Sequence, residues 1–257
     1  MVEKRVAIVT GASSGIGAVT ASRLAADFEG IVLVARRADE LQKTAEQVRA
    51  AGAEPFIVLA DLLEADAAQR IILETVDRFG RIDALINIAG AVPQVNIFEM
   101  SDVQWLAAME VKFHSARRLT MQAWPHLVSS RGSIIFMSGT AAENPKPAAA
   151  AIGAINAAID ALSKAFAEQG IADGVQVNTV LPGPIMTGRR QAFLEKIASS
   201  GEVTMDQAAQ SFLRESRIHR FGQPEEVAEL IAFLVSPRAR FITGTAIRID
   251  GGEIKGI

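Results

Sequence analysis

An apolar strand pattern that runs into a glycine-rich turn constrains this chain more than any other stretch. Residues 6–10 read VAIVT, and glycines follow at positions 11, 15 and 17. Residues 18–26 then show apolar residues at helical spacing. Gly11 permits a sharp exit from the strand, Gly15 lets backbone N–H groups approach a pyrophosphate, and Gly17 lets the helix pack on the sheet. A tight turn without a ligand is the alternative, but the flanking strand and helix favour a dinucleotide-binding floor with a positive helix N-terminus.

Strand and helix patterns alternate along the rest of the chain. Apolar strand segments are predicted at 31–35, 55–60, 82–87, 133–137, 175–180 and 246–249. Helical patterns are predicted from Asp39 onward and at 64–79, 103–112, 115–127 and 149–169. This alternation predicts right-handed βαβ crossovers and a parallel sheet covered by helices on both faces. At 257 residues, we expect one α/β domain spanning 1–257.

Residues 188–222 form the least regular stretch, which is polar and carries mixed helical signals. Two interpretations remain open for it. It is either a mobile lid over a cleft or a surface excursion of the chain.

Charge and cysteine content exclude several classes of function. The chain has 26 basic and 29 acidic residues, a net charge of -3, and no basic run, so nothing attracts nucleic acid or an anionic membrane. It has no cysteine and three scattered histidines, which excludes disulfides and thiolate sites and disfavours zinc; we expect no metal. Neither a signal-peptide pattern nor an apolar run of transmembrane length is evident in the sequence, which predicts a cytoplasmic protein.

The chain resembles the short-chain dehydrogenase/reductase family over nearly its whole length. The matching segments, in chain order, are TGASSGIG at 10–17, Asp61, NIAG at 87–90, Asn178, PGPIMT at 182–187, RFGQPEEVA at 220–228, and residues 243–252. The resemblance implies a Rossmann-type, doubly wound parallel sheet of about seven strands that binds a nicotinamide dinucleotide. One small departure is Ile88, where the family usually has a second asparagine.

The resemblance also implies which residues hold the dinucleotide. Asp61 lies by the adenine, residues 87–90 lie along the cofactor, and Ile185 and Thr187 lie at the nicotinamide carboxamide. Together with the charge of the two arginines discussed next and the hypothesis for Asn156 given below, it leads us to expect the cofactor-binding set Gly11, Ser13, Ser14, Gly15, Ile16, Gly17, Arg36, Arg37, Asp61, Leu62, Asn87, Ala89, Gly90, Asn156, Pro182, Gly183, Ile185 and Thr187.

The end of the second predicted strand bears on the phosphate state of the cofactor. Where an NAD-preferring member has an acidic residue, this chain has Ala35, followed by Arg36 and Arg37. A carboxylate there would repel a 2′-phosphate, whereas guanidinium groups pair with it through charge-assisted bonds. The pattern favours NADP(H) over NAD(H). The alternative is a solvated pair of surface arginines.

The positions that carry the family's chemistry are all substituted. The family uses a tyrosine for proton transfer, a lysine four residues later, a serine, and an asparagine on an earlier helix. The resemblance places Ile152 at the tyrosine, Asn156 at the lysine, Gly139 at the serine and Lys112 at the asparagine. No shift of the alignment restores the acid, because the chain contains no tyrosine. Ser138 and Thr140 flank the serine position, but alternate residues on a strand point to opposite sides.

Lys112 and Asn156 carry each other's expected residue types. One hypothesis is that Lys112 supplies the missing ammonium while Asn156 still binds the nicotinamide ribose. The alternative is decay of the site, with a lysine that reaches the surface. Glu143, Lys146 and His114 are either substitute acids or ordinary surface and packing groups.

Three functions remain open at this point. The chain is an oxidoreductase of weak or non-standard activity on a hydrophobic small-molecule carbonyl or alcohol, a catalytically silent NADP(H) sensor, or a structural subunit paired with an active relative. The resemblance further implies a homotetramer or homodimer formed through the helices that contain Lys112 and Asn156.

Overall fold

Seven parallel strands in the order β3-β2-β1-β4-β5-β6-β7 make up the sheet of the computed structural model, which describes residues 5–90 and 92–256. The strands are β1 (Val6–Thr10), β2 (Gly30–Ala35), β3 (Glu54–Leu59), β4 (Ala84–Asn87), β5 (Ser133–Met137), β6 (Gln176–Pro182) and β7 (Ala246–Ile249). All six predicted later strands are present, with ends that differ by at most two residues. The strand order reverses between β1 and β4, and open α/β sheets bind ligands in the crevice at the carboxyl ends of the strands beside such a point.

Helices cover both faces of the sheet. They are α1 (Gly15–Leu24), α2 (Ala38–Ala50), α3 (Ala67–Phe79), α4 (Asp102–Met109), α5 (Ser115–Ser130), α6 (Ala150–Asp173), α7 (Gly188–Ser200), α8 (Met205–Ser216) and α9 (Pro224–Leu234). The helix predicted at 103–112 instead leaves the α conformation after Met109 and passes through a π-helical turn, Glu110–His114, before α5. Lys112 therefore lies on a widened turn, and such turns are frequent at functional sites.

The strands alternate their side chains between two apolar layers. Ala7 and Val9 of β1 face the layer that includes residues of α1, α2 and α9. Val6 and Ile8 face the opposite layer, with residues of α3, α5 and α6. Because strands buried on both faces need apolar residues at every position, β1 and β2 read as continuous apolar runs. This explains why they were recognisable in the sequence.

Residues 188–222 are more regular than the sequence indicated. The mixed helical signals of this stretch correspond to two helices, α7 and α8, which occupy most of it. The Phe193 and Phe212 rings, one from each helix, meet edge to face at 6.1 Å between centroids. Only Leu194 of α7 and Ala208 and Ser216 of α8 are buried, so the helical pattern in the sequence is weak. Whether this pair of helices moves as a lid stays a prediction.

The segment Pro147–Asp173 is long and apolar enough to cross a membrane by length and composition alone. The segment is not a continuous apolar run, since it contains Asp160, Lys164 and Glu168. Ile155, Ile159 and Ala167 of this segment are buried in the apolar clusters of the domain, the latter two against the sheet. We describe it as a core helix of the α/β fold.

Candidate functional site

The turn between β1 and α1 has room only for glycine at two positions. Gly11 has a φ of +70°, and a Cβ there would lie 3.1 Å from the Ala89 backbone nitrogen. A Cβ on Gly17 would overlap the carbonyl oxygen of Gly11. The hydroxyl of Thr10 accepts hydrogen bonds from the Ile88 and Ala89 N–H groups, both at 3.0 Å. The turn is thus packed tightly against the end of β4, and α1 begins directly after it.

Two arginines lie beside this turn at the end of β2. The Arg37 guanidinium donates to Ser13 Oγ at 3.1 Å and to Ser14 Oγ at 3.0 Å. Arg36 lies 3.6 Å from the Asp61 carboxylate at the end of β3, and both arginines are exposed. The next residue, Leu62, is buried. The structure therefore brings two cations, two hydroxyls and the glycine turn together at the adenosine end that the sequence predicted.

The segment after β6 returns to the same turn. Thr187 accepts a hydrogen bond from the Arg190 N–H at 3.4 Å and so caps α7, while a Cβ on Gly15 would lie 3.6 Å from Thr187 Cγ2. Ile185 is buried and forms an isolated β-bridge with Gly222. Gly183 is close to the last loop, since a Cβ there would lie 2.7 Å from Asp250 Cβ. These contacts fix the Pro182 to Thr187 segment beside the turn.

At the end of β4 lies the buried side-chain amide of Asn87, and three residues later Gly90 packs against Lys112. The Asn87 side-chain nitrogen donates to Thr120 Oγ1 at 3.4 Å, and its buried Oδ1 has no hydrogen-bond partner among the described residues. A Cβ on Gly90 would lie 2.9 Å from Lys112 Cγ, so the aliphatic stem of Lys112 lies against this backbone. The Gly90 carbonyl accepts from Arg189 at 3.3 Å.

The Lys112 amine points into the protein rather than to solvent. It donates to Asn156 Oδ1 and lies 3.5 Å from the Ser138 carbonyl oxygen. Asn156 is 2 % exposed. A Cβ on Gly139 would lie 3.0 Å from the Asn156 side-chain nitrogen, so the glycine leaves space for that amide. The structure thus joins three of the four substituted positions in one network.

The fourth substituted position, Ile152, is apolar. Its half-buried side chain packs on the small cluster formed by Val92, Ala108, Ala151 and Ile155. Neither neighbour of Gly139 takes the place of the missing serine, since Ser138 donates to the Asn156 carbonyl at 3.1 Å and Thr140 donates to Glu253 at 2.8 Å. An apolar side chain and a glycine therefore occupy the two positions that the sequence resemblance aligns with the family's hydroxyl-bearing residues.

Asp160 is a functional candidate that the sequence reasoning missed. It lies one turn after Asn156 on α6, and its buried Oδ1 has no hydrogen-bond partner among the described residues. Burial raises its pKa to about 6, against the opposing effects of the Ser138 hydroxyl and the Lys112 charge. Burial, with the Arg189 charge, lowers the pKa of Lys112 to about 8, while Asp160 opposes that shift. The sequence feature that could have identified Asp160 is an acidic residue four positions after Asn156 in a largely apolar helix.

The three substitute acids considered from the sequence lie apart from this network. Glu143 pairs with Arg248 at 3.4 Å, and Lys146 is exposed. The His114 ring packs edge to face on Phe113, and His114 lines a different cavity of about 310 Å³ with residues of α4. They are best described as surface and packing groups.

Known proteins match the chain over nearly its whole length. A family profile described as enoyl-(acyl carrier protein) reductase matches residues 11–253. The short-chain reductase protein NovJ of Streptomyces niveus is 30% identical over 98% of this chain and 94% of its own length. The 3-oxoacyl-[acyl-carrier-protein] reductase FabG of Staphylococcus aureus is 29% identical over 96% of each chain.

Solved structures of reductases are similar to the whole domain. L-sorbose reductase from Gluconobacter frateurii, complexed with NADPH and L-sorbose, has a TM-score of 0.95 at 30% identity and covers 100% of this chain and 98% of its own. A variant of actinorhodin polyketide ketoreductase with NADPH has a TM-score of 0.91 at 29% identity over 97% of each chain. Both were solved with the reduced, phosphorylated dinucleotide.

Proposed function

The chain belongs to the short-chain dehydrogenase/reductase family, and on that premise we propose that it is an NADP(H)-binding oxidoreductase with a non-standard set of proton-handling groups. The observation that carries the proposal is the position of Arg37, whose guanidinium donates to Ser13 and Ser14 of the glycine turn. With Ala35 in place of an acid, nothing at the end of β2 repels a 2′-phosphate. NADPH in the similar reductase structures supports the same cofactor.

The described residues fit a dinucleotide along the whole crevice. Backbone N–H groups of Ser13 to Gly17 and the α1 N-terminus would hold the pyrophosphate, because only glycine fits at positions 11 and 17. Arg36 and Arg37 would hold the 2′-phosphate. The adenine would lie by Asp61 and Leu62. The rest of the dinucleotide would contact Asn87, Ala89, Gly90, Asn156, Pro182, Gly183, Ile185 and Thr187. The bound group supplies a hydride donor or acceptor.

The substrate side of the crevice has apolar residues where the family has a proton donor. Ile152 and Met186 favour a hydrophobic carbonyl or alcohol. Positioned general acid–base catalysis contributes roughly 10²- to 10⁴-fold to a rate, so its weakening predicts slow turnover. Residues 188–222 would close over this substrate as a lid.

A silent NADP(H) sensor, or a partner subunit of an active relative, is the second candidate. The observation that favours it is the replacement of both hydroxyl-bearing positions, by Gly139 and Ile152, in a chain that has no tyrosine. The cofactor crevice has the same geometry under either function. Turnover is therefore what separates the two.

A homodimer or homotetramer formed through α4, α5 and α6 completes the proposal. Val103 and Leu106 of α4 are 76% and 67% exposed, and Met121 of α5 is 53% exposed. A contiguous patch of exposed apolar side chains is typical of an interaction surface, and Val103 and Leu106 are one turn apart on α4. The subunit number and a cytoplasmic location stay predictions.

Calorimetric titration with NADPH, NADP⁺, NADH and NAD⁺ tests the cofactor. We expect the two phosphorylated forms to bind more tightly than the other two, and binding of none of the four would refute the proposal. A panel of ketones, aldehydes and 3-oxoacyl thioesters, followed by loss of NADPH absorbance, then tests the chemistry. Turnover supports the oxidoreductase, and tight NADPH binding without turnover supports the sensor.

A further inference from the structure

Lys112 and Asp160 are two shielded ionisable groups to which the proposed function gives no proton chemistry. The Lys112 amine donates to the Asn156 side chain and approaches the Ser138 carbonyl, which are both neutral acceptors. These hydrogen bonds favour the ammonium only in part, since burial still lowers the pKa of Lys112 to about 8. A carboxylate near the amine opposes that shift.

Asp160 is the nearby carboxylate whose charge raises the pKa of Lys112, against the effect of burial. Two further charged side chains from separate parts of the fold act on Lys112 and Asp160: Arg189 of α7 acts on Lys112, and Glu143 of the loop after β5 acts on Asp160. The positive charge of Arg189 lowers the pKa of Lys112. Glu143 is exposed and forms an ion pair with Arg248. The buried Asp160 Oδ1 has no hydrogen-bond partner among the described residues, while the Ser138 hydroxyl lowers the pKa of this carboxyl group against the effect of its burial.

Two glycines keep the Lys112 amine at the nicotinamide end of the crevice. Gly90, where a Cβ would lie 2.9 Å from Lys112 Cγ, lets the lysine stem cross the end of β4. Gly139 leaves room for the Asn156 amide that the amine contacts. Gly90 and Asn156 are also residues that the proposed function places along the dinucleotide. The amine thus lies where a change of cofactor charge acts on it.

We propose that Lys112 is the proton donor of this site, and that its ammonium gives up the proton when the adjacent nicotinamide is oxidised and positively charged. We assign Asp160 as the positioning residue, whose carboxylate keeps the shielded ammonium protonated until then. The inference rests on the proposed function, since it needs a bound dinucleotide. In reduction, a carbonyl carbon gains hydride from reduced nicotinamide, its oxygen gains the Lys112 proton, and the alcohol and NADP⁺ form. Solvent then reprotonates the neutral amine.

Calorimetry in buffers of different ionisation enthalpy tests this without any turnover. The apparent binding enthalpy varies with the buffer in proportion to the protons released on binding. At pH 7.5 we expect wild-type protein to release protons when it binds NADP⁺, and fewer when it binds NADPH. Lys112→Met and Lys112→Arg should both bind NADP⁺ without this release, because methionine carries no proton and arginine does not lose one. Asp160→Asn should release fewer protons than wild-type protein at pH 7.5, since a smaller fraction of its amine is protonated before binding, and its release should be largest at a lower pH than in the wild-type protein.

Asp77→Asn is the matched control, because it makes the same substitution at an exposed position of α3. It should release protons as the wild-type protein does. Equal release from wild-type protein and Lys112→Met would overturn the donor role. Asp160→Asn with a wild-type pH dependence of release would overturn the positioning role. Failure of wild-type protein to bind any nucleotide would instead refute the proposed function, and the donor role with it.

The link between the two residues is also measurable in the unliganded protein. NMR of protein labelled with ¹³C at lysine Cε, assigned by comparison with Lys112→Arg, follows the Lys112 titration directly. We expect its midpoint near pH 8 in the wild-type protein and at lower pH in Asp160→Asn. A midpoint that Asp160→Asn does not move would overturn the pairing, whatever the nucleotide experiments show.

Discussion

Gly139 and Asn156 fit together without spare room: a Cβ on residue 139 would lie 3.0 Å from the Asn156 side-chain nitrogen. Asn156 cannot easily move away, because it is 2 % exposed and its oxygen accepts from Lys112. The side-chain amide at position 156 therefore depends on the absence of a side chain at position 139. The Lys112 amine holds the same amide at its other end, through its hydrogen bond to the Asn156 oxygen.

Gly139→Ala tests this fit. Gly139 has an extended φ of 162°, so alanine adds no backbone strain, and the added methyl group acts only through crowding. We expect the free energy of unfolding to fall by about 1–2 kcal/mol, as in other overpacked sites. Chemical denaturation measures it. In Gly139→Ala combined with Asn156→Ala the loss should be smaller than the sum of the two single losses, and full additivity would show that the two residues do not interact.

Gly17→Ala should disrupt the floor of the crevice. Its methyl group would overlap the Gly11 carbonyl, which is backbone and cannot rotate away. We expect a loss of about 3 kcal/mol or more, or failure to fold, because the main chain must shift. Gly188→Ala is the control, since no atom lies within 4 Å of the added methyl group. Thermal unfolding of the two variants should differ clearly, and similar midpoints would contradict the packing described for the turn.

Arg37→Ala should weaken binding of NADPH and leave NADH binding nearly unchanged. Hydrogen bonds to a charged group contribute about 1.5–3 kcal/mol, which corresponds to roughly a 10- to 100-fold change in affinity. Fluorescence titration of both reduced nucleotides measures the ratio. Arg49→Ala changes an exposed arginine in the last turn of α2, the helix that begins directly after Arg37, and serves as the control. Equal weakening for both nucleotides would place Arg37 away from the 2′-phosphate.

Stability should rise with pH in the alkaline range because of Lys112. Its pKa falls from the ordinary 10.5 to about 8 in the folded protein, so between these values the unfolded chain binds more protons. The free energy of unfolding then increases with pH across this window, by roughly 3 kcal/mol at most. Below pH 8 this contribution is absent, since both states carry the proton.

Lys112→Met should remove that alkaline rise, whereas Lys43→Met, at an exposed lysine of α2, should retain it. Urea denaturation at pH 7.5, 9 and 10.5 provides the comparison. The chain has neither tyrosine nor cysteine, so no phenol or thiol titrates in this window. Identical profiles for wild-type protein and Lys112→Met would contradict the shielding of the amine.

The parts of the fold that local sequence determines were predictable. Continuous apolar runs such as β1 identify strands buried on both faces, and the glycines of the following turn have local steric causes. The helices α7 and α8 were not predictable as such, because few of their residues are buried and their contacts are aromatic pairs between two helices. The π-helical turn at Glu110–His114 also gave no signal, since its apolar pattern resembles that of an α-helix.

The parts of the candidate site that could be predicted are the residues at which the chain aligns with motifs of the family. The exchange of residue types at 112 and 156 suggested a contact, and the structure joins these side chains across 44 positions of the chain. The role of Asp160 was not evident, because it depends on the shielding of a carboxylate and on an amine from another helix. Neither quantity is visible in a single sequence.

A crystal structure of the protein with NADPH is the most direct test of the proposed site. We expect the 2′-phosphate to lie within hydrogen-bond distance of the Arg36 and Arg37 guanidinium groups, and the nicotinamide end to lie beside Lys112 and Asn156, which remain in contact. A dinucleotide whose 2′-phosphate extends into solvent, or a Lys112 amine turned away from both Asn156 and the nicotinamide, would contradict it.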